Sequence, residues 1–318
     1  MVIEYRDYCE TDYDSYASFC SKNFGKEAYQ NSLDYLDWLY DDSEKSFSLA
    51  KINEKVIGIE HNFKAPIFID GKSTLVTVLH DLMIDGQHRG KSGFRLMHDS
   101  LKRDDYLVLP GSVGRLSRTY GRLGSVKFDS YWYRKFQFPK NIFRVISQKR
   151  FLSYKKIANN RGLLFGHNKE ENRQFFQKTL KPFKNFDWFP EYFKWRFFHK
   201  NAPLTFYVTD DHGNNSVLFV IGKRGRVPYV RIFYVRCQSD VMQIKIMKFI
   251  EHITANIGVP VVLYSSYEQE PPTKFGYSIY GESPVSYVYS KLKKNKFEPV
   301  VPSFCCDIGF DGLNLMRN

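Results

Sequence analysis

Between Leu75 and Leu101 the chain spells out a strand, a short basic loop and a helix, and this junction constrains the fold more than any other segment. Leu75-Val76-Thr77-Val78-Leu79 is apolar and β-branched, and the strand runs on through His80-Asp81-Leu82-Met83-Ile84 to a stop at Asp85-Gly86. A helix carrying Phe94, Leu96, Met97 and Leu101 follows. Between them lies Gln87-His88-Arg89-Gly90-Lys91-Ser92, then Gly93. The first N–H groups of a helix have no partner inside it, and the helix dipole adds partial positive charge there. Gly90, Ser92 and Gly93 keep bulk away from that backbone while Arg89 and Lys91 bring cations to it, so the pattern predicts an anion site. Its spacing is not that of a P-loop, which needs Gly-x-x-x-x-Gly-Lys-Ser/Thr. No Gly-x-Gly-x-x-Gly follows the first strand, so a dinucleotide fingerprint is excluded too.

The surrounding elements give the junction a frame. Val2 to Tyr5 reads as a strand, and Thr11 with Asp14 resembles a capping box opening a helix with Tyr13, Tyr16, Ala17 and Cys20. A second helix is predicted from Ser32 to Tyr40. Phe47–Ile52 and Val56–Ile59 form a hairpin around Asn53-Glu54-Lys55, and Asp70-Gly71 marks another turn. Tyr106–Leu109 is a buried strand, a polar helix reaches Tyr120, and Ser125 to Phe138 returns as aromatic-rich strands. The order β-α-α-β-β-β-α-β-α-β describes an α/β unit on a mostly antiparallel sheet closed by one parallel pair.

The second half repeats the frame weakly. Tyr192-Phe193-Lys194-Trp195 matches the spacing of Tyr35-Leu36-Asp37-Trp38, and a hairpin (Leu204–Val208, Val217–Ile221) follows. A long strand Tyr229–Val235, a helix Asp240–Asn256 and strands at Val259–Tyr264 and Ser286–Leu292 complete it. Two tandem α/β copies are expected, at residues 1–145 and 146–318; chance similarity of two aromatic helices is the competing explanation. After its long strand the second copy reads Arg236-Cys237-Gln238-Ser239-Asp240, without the glycines and the run of cations, so it is expected to lack the anion loop. The basic turn Gly222-Lys223-Arg224-Gly225-Arg226 reads as an exposed hairpin tip rather than a phosphate site.

The formal charge of +13 favours polyanionic partners without choosing among nucleic acid, anionic lipid and phosphate-rich small molecules. Ten Lys or Arg and no Asp or Glu fall between Ser130 and Lys169, a stretch that is either a solvated connection between the copies or a polyanion-facing surface. Five cysteines at 9, 20, 237, 305 and 306 form no C-x-x-C pair, which fits reduced thiols; the vicinal Cys305-Cys306 is the one candidate for redox chemistry. The acidic N-terminus lacks a signal-peptide core and no apolar run reaches roughly 20 residues, so a cytoplasmic protein without a membrane partner is expected. The eight His and five Cys show no tight ligand spacing, and no metal is expected.

The loop Gln87-x-x-Gly90-x-Ser92 resembles motif A of the GNAT (GCN5-related N-acetyltransferase) superfamily, Gln/Arg-x-x-Gly-x-Gly/Ala, with Ser92 departing at the last position. His80-Asp81-Leu82-Met83-Ile84 matches the preceding strand's usual phrasing, Tyr120-x-x-x-Gly124 a later motif, and the likeness covers roughly the first 140 residues. The Asn often found seven residues before that Tyr is Val113 here. The resemblance implies acyl-CoA as co-substrate, with the backbone of Met83 and Ile84 on the pantetheine arm. Gln87, Arg89, Gly90, Lys91, Ser92, Gly93 and Phe94 would lie around the pyrophosphate. It also implies His80 as base, Asp81 as acceptor-amine anchor or second base, and Tyr120 as proton donor to the leaving thiolate. His80 and Asp81 are expected on opposite faces of their strand.

Chains of this length with two such units resemble N-acyltransferases acting on nucleotide-linked (dTDP- or UDP-) amino sugars in surface-polysaccharide biosynthesis. The second copy would then build the acceptor pocket or a subunit contact, as in a homodimer. Two rivals stay open. One is an enzyme of the same kind acting on aminoacyl-tRNA, a peptide or a polyamine. The other is a non-enzymatic, basic nucleic-acid-binding protein, against which the absence of a nucleic-acid motif counts.

Overall fold

Alternating strand and helix patterns of this kind need two faces to bury, and the computed structural model shows how the chain supplies them. It describes residues 2–26, 29–40, 45, 47–70, 72–112, 115–129, 131–138, 162–168, 199–202, 204–224, 227–266, 275–279 and 285–291. The helix expected at Tyr192–Trp195, most of the basic stretch, Gly225 and Arg226, and Cys305-Cys306 lie outside these residues.

In chain order the elements begin β1 (Glu4–Asp7), α1 (Tyr13–Phe24), α2 (Leu33–Leu39), β2 (Ser48–Ile52), β3 (Lys55–Ile69) and β4 (Lys72–Ile84). Then come α3 (Lys91–Arg103), β5 (Tyr106–Ser112), α4 (Arg115–Arg122), β6 (Val126–Asp129), β7 (Tyr131–Phe136), β8 (Leu163–His167) and β9 (Phe206–Asp210). The last are β10 (Ser216–Arg224), β11 (Val227–Arg236), α5 (Asp240–Asn256), β12 (Val261–Ser266), β13 (Ser278–Ile279) and β14 (Val285–Ser290). The chain divides into two compact units, each with its own sheet of seven strands among the described residues.

The first sheet runs β1-β2-β3-β4-β5-β14-β6 and the second β13-β7-β12-β11-β10-β9-β8. Read outward from β4 and β11, the two orders match strand for strand. In each, the only parallel pair among the described residues joins the strand before the long helix to the strand after it, β4 with β5 and β11 with β12. The expected tandem of mixed, mostly antiparallel sheets is therefore present.

One allocation differs from the sequence division at 145. β7, read with the first copy, lies in the second sheet between β12 and β13, and β14, read with the second copy, lies in the first sheet between β5 and β6. Alternation of apolar and polar residues marks a strand but carries no address for the sheet it joins.

The expected capping box at Thr11 and Asp14 is replaced by one two residues earlier, at Cys9 and Asp12. Asp12 accepts from the Cys9 amide (3.0 Å) at a 3-10 turn, because its carboxylate is already held by Arg6 (2.6 and 2.8 Å) and by the buried Lys51 (2.7 Å). These ion pairs tie the start of α1 to β1 and β2. They aim Tyr16, Phe19 and Cys20 of α1 inward, and Tyr16 then packs on Phe47 and His61.

On the opposite face α3 lies on β2, β3 and β4. Ala50, Ile57, Ile84 and Leu96 form its core contact. The approach is close: a Cβ at Gly58 would fall 2.1 Å from Ile84 Cδ1 and 3.3 Å from Leu96 Cδ1, whereas one at Gly86 would meet nothing within 4 Å. Gly58→Ala is therefore expected to push Ile84 and α3 off their seats at a cost of about 1–3 kcal/mol, and Gly86→Ala to be nearly neutral. Urea unfolding of the two variants checks this.

Candidate active site

The site begins with one extra residue in β4. Ile59 pairs with Met83, but His61 pairs with His80, so Glu60 alone on β3 faces both Asp81 and Leu82. Asp81 takes up the surplus with φ +49°, a left-handed conformation that Asp and Asn tolerate better than most residues. β11 bulges at the corresponding place, where Leu218 pairs with Tyr234 and Phe219 with Ile232.

The bulge overturns the expected alternation at His80 and Asp81. Asp81 Oδ2 lies 3.2 Å from His80 Nε2, so consecutive residues meet on one face. On that face α1 and α2 complete a buried polar cluster. Asp81 Oδ2 accepts from Gln30 Nε2 (3.1 Å) and from the Tyr35 hydroxyl (3.3 Å), and His61 Nδ1 stands 3.5 Å away. The Tyr16 hydroxyl donates to the Gln30 carbonyl (2.8 Å) and meets His61 Nε2 at 3.2 Å. Burial alone would raise the Asp81 carboxyl, but His80, His61 and Gln30 outweigh it and bring its pKa down to about 2. Burial pushes the neighbouring Cys20 thiol up to about 12, so it stays a neutral neighbour.

Past the bulge, β4 parts from β5. Among the described residues their parallel ladder consists of Thr77↔Leu107 and Val78↔Val108. A cavity of about 680 Å³ lies beyond, walled by Leu82, Met83 and Ile84 of β4, by Arg89, Gly90, Gly93, Phe94 and Met97 from the loop and α3, and by Leu116 and Thr119 of α4. The walls are mainly apolar and one end is a helix N-terminus. Gly90, at φ +101°, stands at the N-cap of α3 and makes no side-chain cap. In the second unit Ser239 Oγ caps α5 by accepting from the Met242 amide (3.4 Å), and Gln238 is tied to Asn215 (2.7 Å), so that helix start is filled by the chain itself. An apolar trough ending at open amides fits a pantetheine arm with its pyrophosphate at the α3 end.

Of the sequence-predicted residues, Met83, Ile84, Arg89, Gly90, Gly93 and Phe94 meet around the cavity. Ser92 is buried in the first turn of α3, Lys91 is that helix's first residue, and Gln87 is exposed in a 3-10 turn pinned by Asp85, which Lys22 holds at 2.5 Å. His80 and Asp81 are together, but neither is among the cavity-lining residues. Tyr120 lies in the next cluster, packed with Leu79, Met97 and Leu109 and edge-on to Tyr287 of β14 (5.7 Å); Ser117 on the same helix bonds the Tyr287 hydroxyl (2.5 Å). The sequence pattern does not single out Gln30, His61, Leu116 and Thr119, and it marks Tyr16, Tyr35, Leu82 and Met97 only as parts of their helices and strand, not as site residues. No group of three or more His, Cys, Asp or Glu among the described residues is placed to hold a metal ion, and no described helix is long and apolar enough to cross a membrane.

Two mixed sheets in tandem, each with a bulged strand leading to a long helix, are similar in fold to solved GNAT acetyltransferases, a tandem one among them. Individual solved structures agree over most of the chain. A GCN5-related N-acetyltransferase from Anabaena variabilis matches with TM-score 0.57 at 12% identity, covering 90% of this chain and 72% of its own. Saccharomyces cerevisiae N-myristoyltransferase with bound myristoyl-CoA matches at 0.55 and 11%, covering 90% and 78%. A tandem GNAT protein from the clavulanic acid biosynthesis pathway matches at 0.54 and 8%, covering 91% and 98%. No protein-family model and no curated protein matches the sequence.

The depressed Asp81 carboxyl sets a pH dependence. Its stabilisation is complete above the unfolded-state value of 3.8 and is lost as pH falls through about 2. Acid unfolding should therefore lose about 2 kcal/mol from this group across that window. Asp81→Asn should remove that portion while keeping the left-handed turn, and Asp81→Ala should cost about 1–2 kcal/mol more. Denaturant midpoints at pH 4.5 and below measure both.

Proposed function

We propose that the chain is an acyl-CoA-dependent N-acyltransferase whose acceptor is the amino group of a nucleotide-linked amino sugar. The observation that carries the donor half is the open N-terminus of α3, with Gly90 and Arg89 at the end of the apolar cavity beside the bulged β4. CoA supplies the thioester and the leaving sulfur. Arg89, the loop and the first amides of α3 would hold its pyrophosphate, with Lys91 and Ser92 beside them, and the edge of Met83 and Ile84 would align its pantetheine amides. Gln87 would shield the loop from the solvent side.

Direct attack on a thioester needs a neutral amine, so a base must take a proton as the new C–N bond forms. His80 fills that role in this reading, and Tyr120 returns a proton to the sulfur. Asp81 would anchor the incoming amine or assist as a second base. The second unit, whose α5 start is closed by Ser239, does not take a donor and serves the acceptor pocket or a homodimer contact. The acceptor assignment rests on charge and composition: +13 overall suits a diphosphate, and aromatics at 17% of residues can stack a base. A cytoplasmic setting, where nucleotide sugars and CoA are both present, goes with it.

Incubation with acetyl- and longer acyl-CoAs and a panel of dTDP- and UDP-amino sugars tests the reading. Thiol release that depends on one of the sugars is expected, and release with none of them counts against it. Arg89→Ala should raise KM for acyl-CoA about tenfold with kcat little changed, the loss of one charge-assisted phosphate contact. Tyr120→Phe at full turnover would take Tyr120 out of the mechanism.

A further inference from the structure

α4 is eight residues long, and of its described side chains Tyr120 is the one that is buried. A helix that short is not stable alone, so its place depends on what it packs against. Two neighbouring stripes of α4 meet different surroundings. Leu116 and Thr119, three apart, wall the apolar cavity beside β4. Ser117 and Tyr120, also three apart, turn to Tyr287 of β14. The Ser117 and Tyr287 hydroxyls share a hydrogen bond of 2.5 Å, and the Tyr120 and Tyr287 rings meet edge-on with centroids 5.7 Å apart. We propose that Tyr287 is a positioning residue for the donor pocket: by holding Ser117 and Tyr120 it sets where Leu116 and Thr119 stand against the arm of acyl-CoA. This rests on the acyl-CoA reading for the identity of the ligand and on these contacts for its geometry.

The strands around this contact show why α4 needs an anchor. On β14, Val285 pairs with Ser112 and Tyr287 with Leu109, so Ser286 alone faces both Pro110 and Gly111 of β5. An extra residue bends the strand that carries it. β5 is therefore bent shortly before α4, and its ladder does not by itself fix where the helix lies. Tyr287 stands on the regular side of that irregularity. It is the cross-strand partner of Leu109 on β5, which precedes α4, and of Lys127 on β6, which follows it. The ring is 5% exposed and shares one apolar cluster with Leu79, Met97, Leu109 and Tyr120. Apolar packing of this kind presses α4 down without direction. The bond to Ser117 is directional, and turning α4 away from it would carry Leu116 and Thr119 through the same angle. Tyr287 is not among the residues that wall the cavity, so its effect on the donor runs through α4.

Calorimetric titration of the full chain with CoA tests this, using Tyr287→Phe, Ser117→Ala and the two combined. Each single variant should bind CoA about threefold to tenfold more weakly, the effect of one lost hydrogen bond. The double variant should be no weaker than either, because all three lack the same contact. Backbone hydrogen exchange across residues 115–122, measured without ligand, should quicken in all three. Val288→Ala is the control for a merely weakened strand: Val288 is buried in β14, pairs with Val108 and Val126, and is no part of the Tyr287 cluster. It should lower Tm and leave CoA affinity unchanged. Unaltered CoA affinity in both single variants, multiplied effects in the double variant, unmoved exchange in α4, or equal weakening by Val288→Ala each overturns the role of Tyr287. A wild-type chain that binds no CoA overturns the acyl-CoA reading and the proposal with it, whereas wild-type binding that the variants leave intact overturns the proposal alone.

Discussion

One backbone angle organises the first unit. With Asp81 in the left-handed region, β4 gains a residue over β3, and everything beyond the bulge is re-registered. Before it, His80 faces α1 and α2; after it, Leu82 and Ile84 face α3, and Leu82, Met83 and Ile84 wall the cavity. A residue of β-branched type would pay heavily in this conformation. Aspartate tolerates it and also supplies the carboxylate around which Gln30, Tyr35, His61 and His80 collect. The backbone irregularity and the polar cluster are thus one feature seen twice.

The two units show what a shared frame does and does not confer. Both have the bulge, the parallel closing pair and the long helix, at matching places in matching sheets. They differ where the helix starts. Gly90 offers α3 no side-chain cap, whereas Ser239 caps the Met242 amide of α5 and Asn215 ties down the residue before it. The same frame thus ends in two different helix starts, set by a few residues rather than by the fold.

Much of this was legible in the sequence because the relevant signals are local. Glycine and cations before an amphipathic helix name an anion site, and the hairpin at Asn53-Glu54 shows its positive φ angles as its residue types suggest. The bulge was not legible, since an Asp inside an apolar strand looks the same with either sign of φ. That made His80 and Asp81 read as facing apart. The cluster behind them was hidden for a different reason: Gln30 reaches Asp81 across 51 residues, and nothing near Gln30 or His61 marks either as special. The sheet membership of β7 and β14 is likewise settled by partners far away in the chain.

That exchange of strands bears on how the protein is made. During synthesis β5 emerges well before its neighbour β14, and β6 pairs with β14 rather than with β5. The usual economy of folding one domain while the next is still being translated is closed to this chain. Until residues 285–290 arrive, Leu107, Val108 and Leu109 line an open sheet edge, the kind of template on which chains pair wrongly with one another.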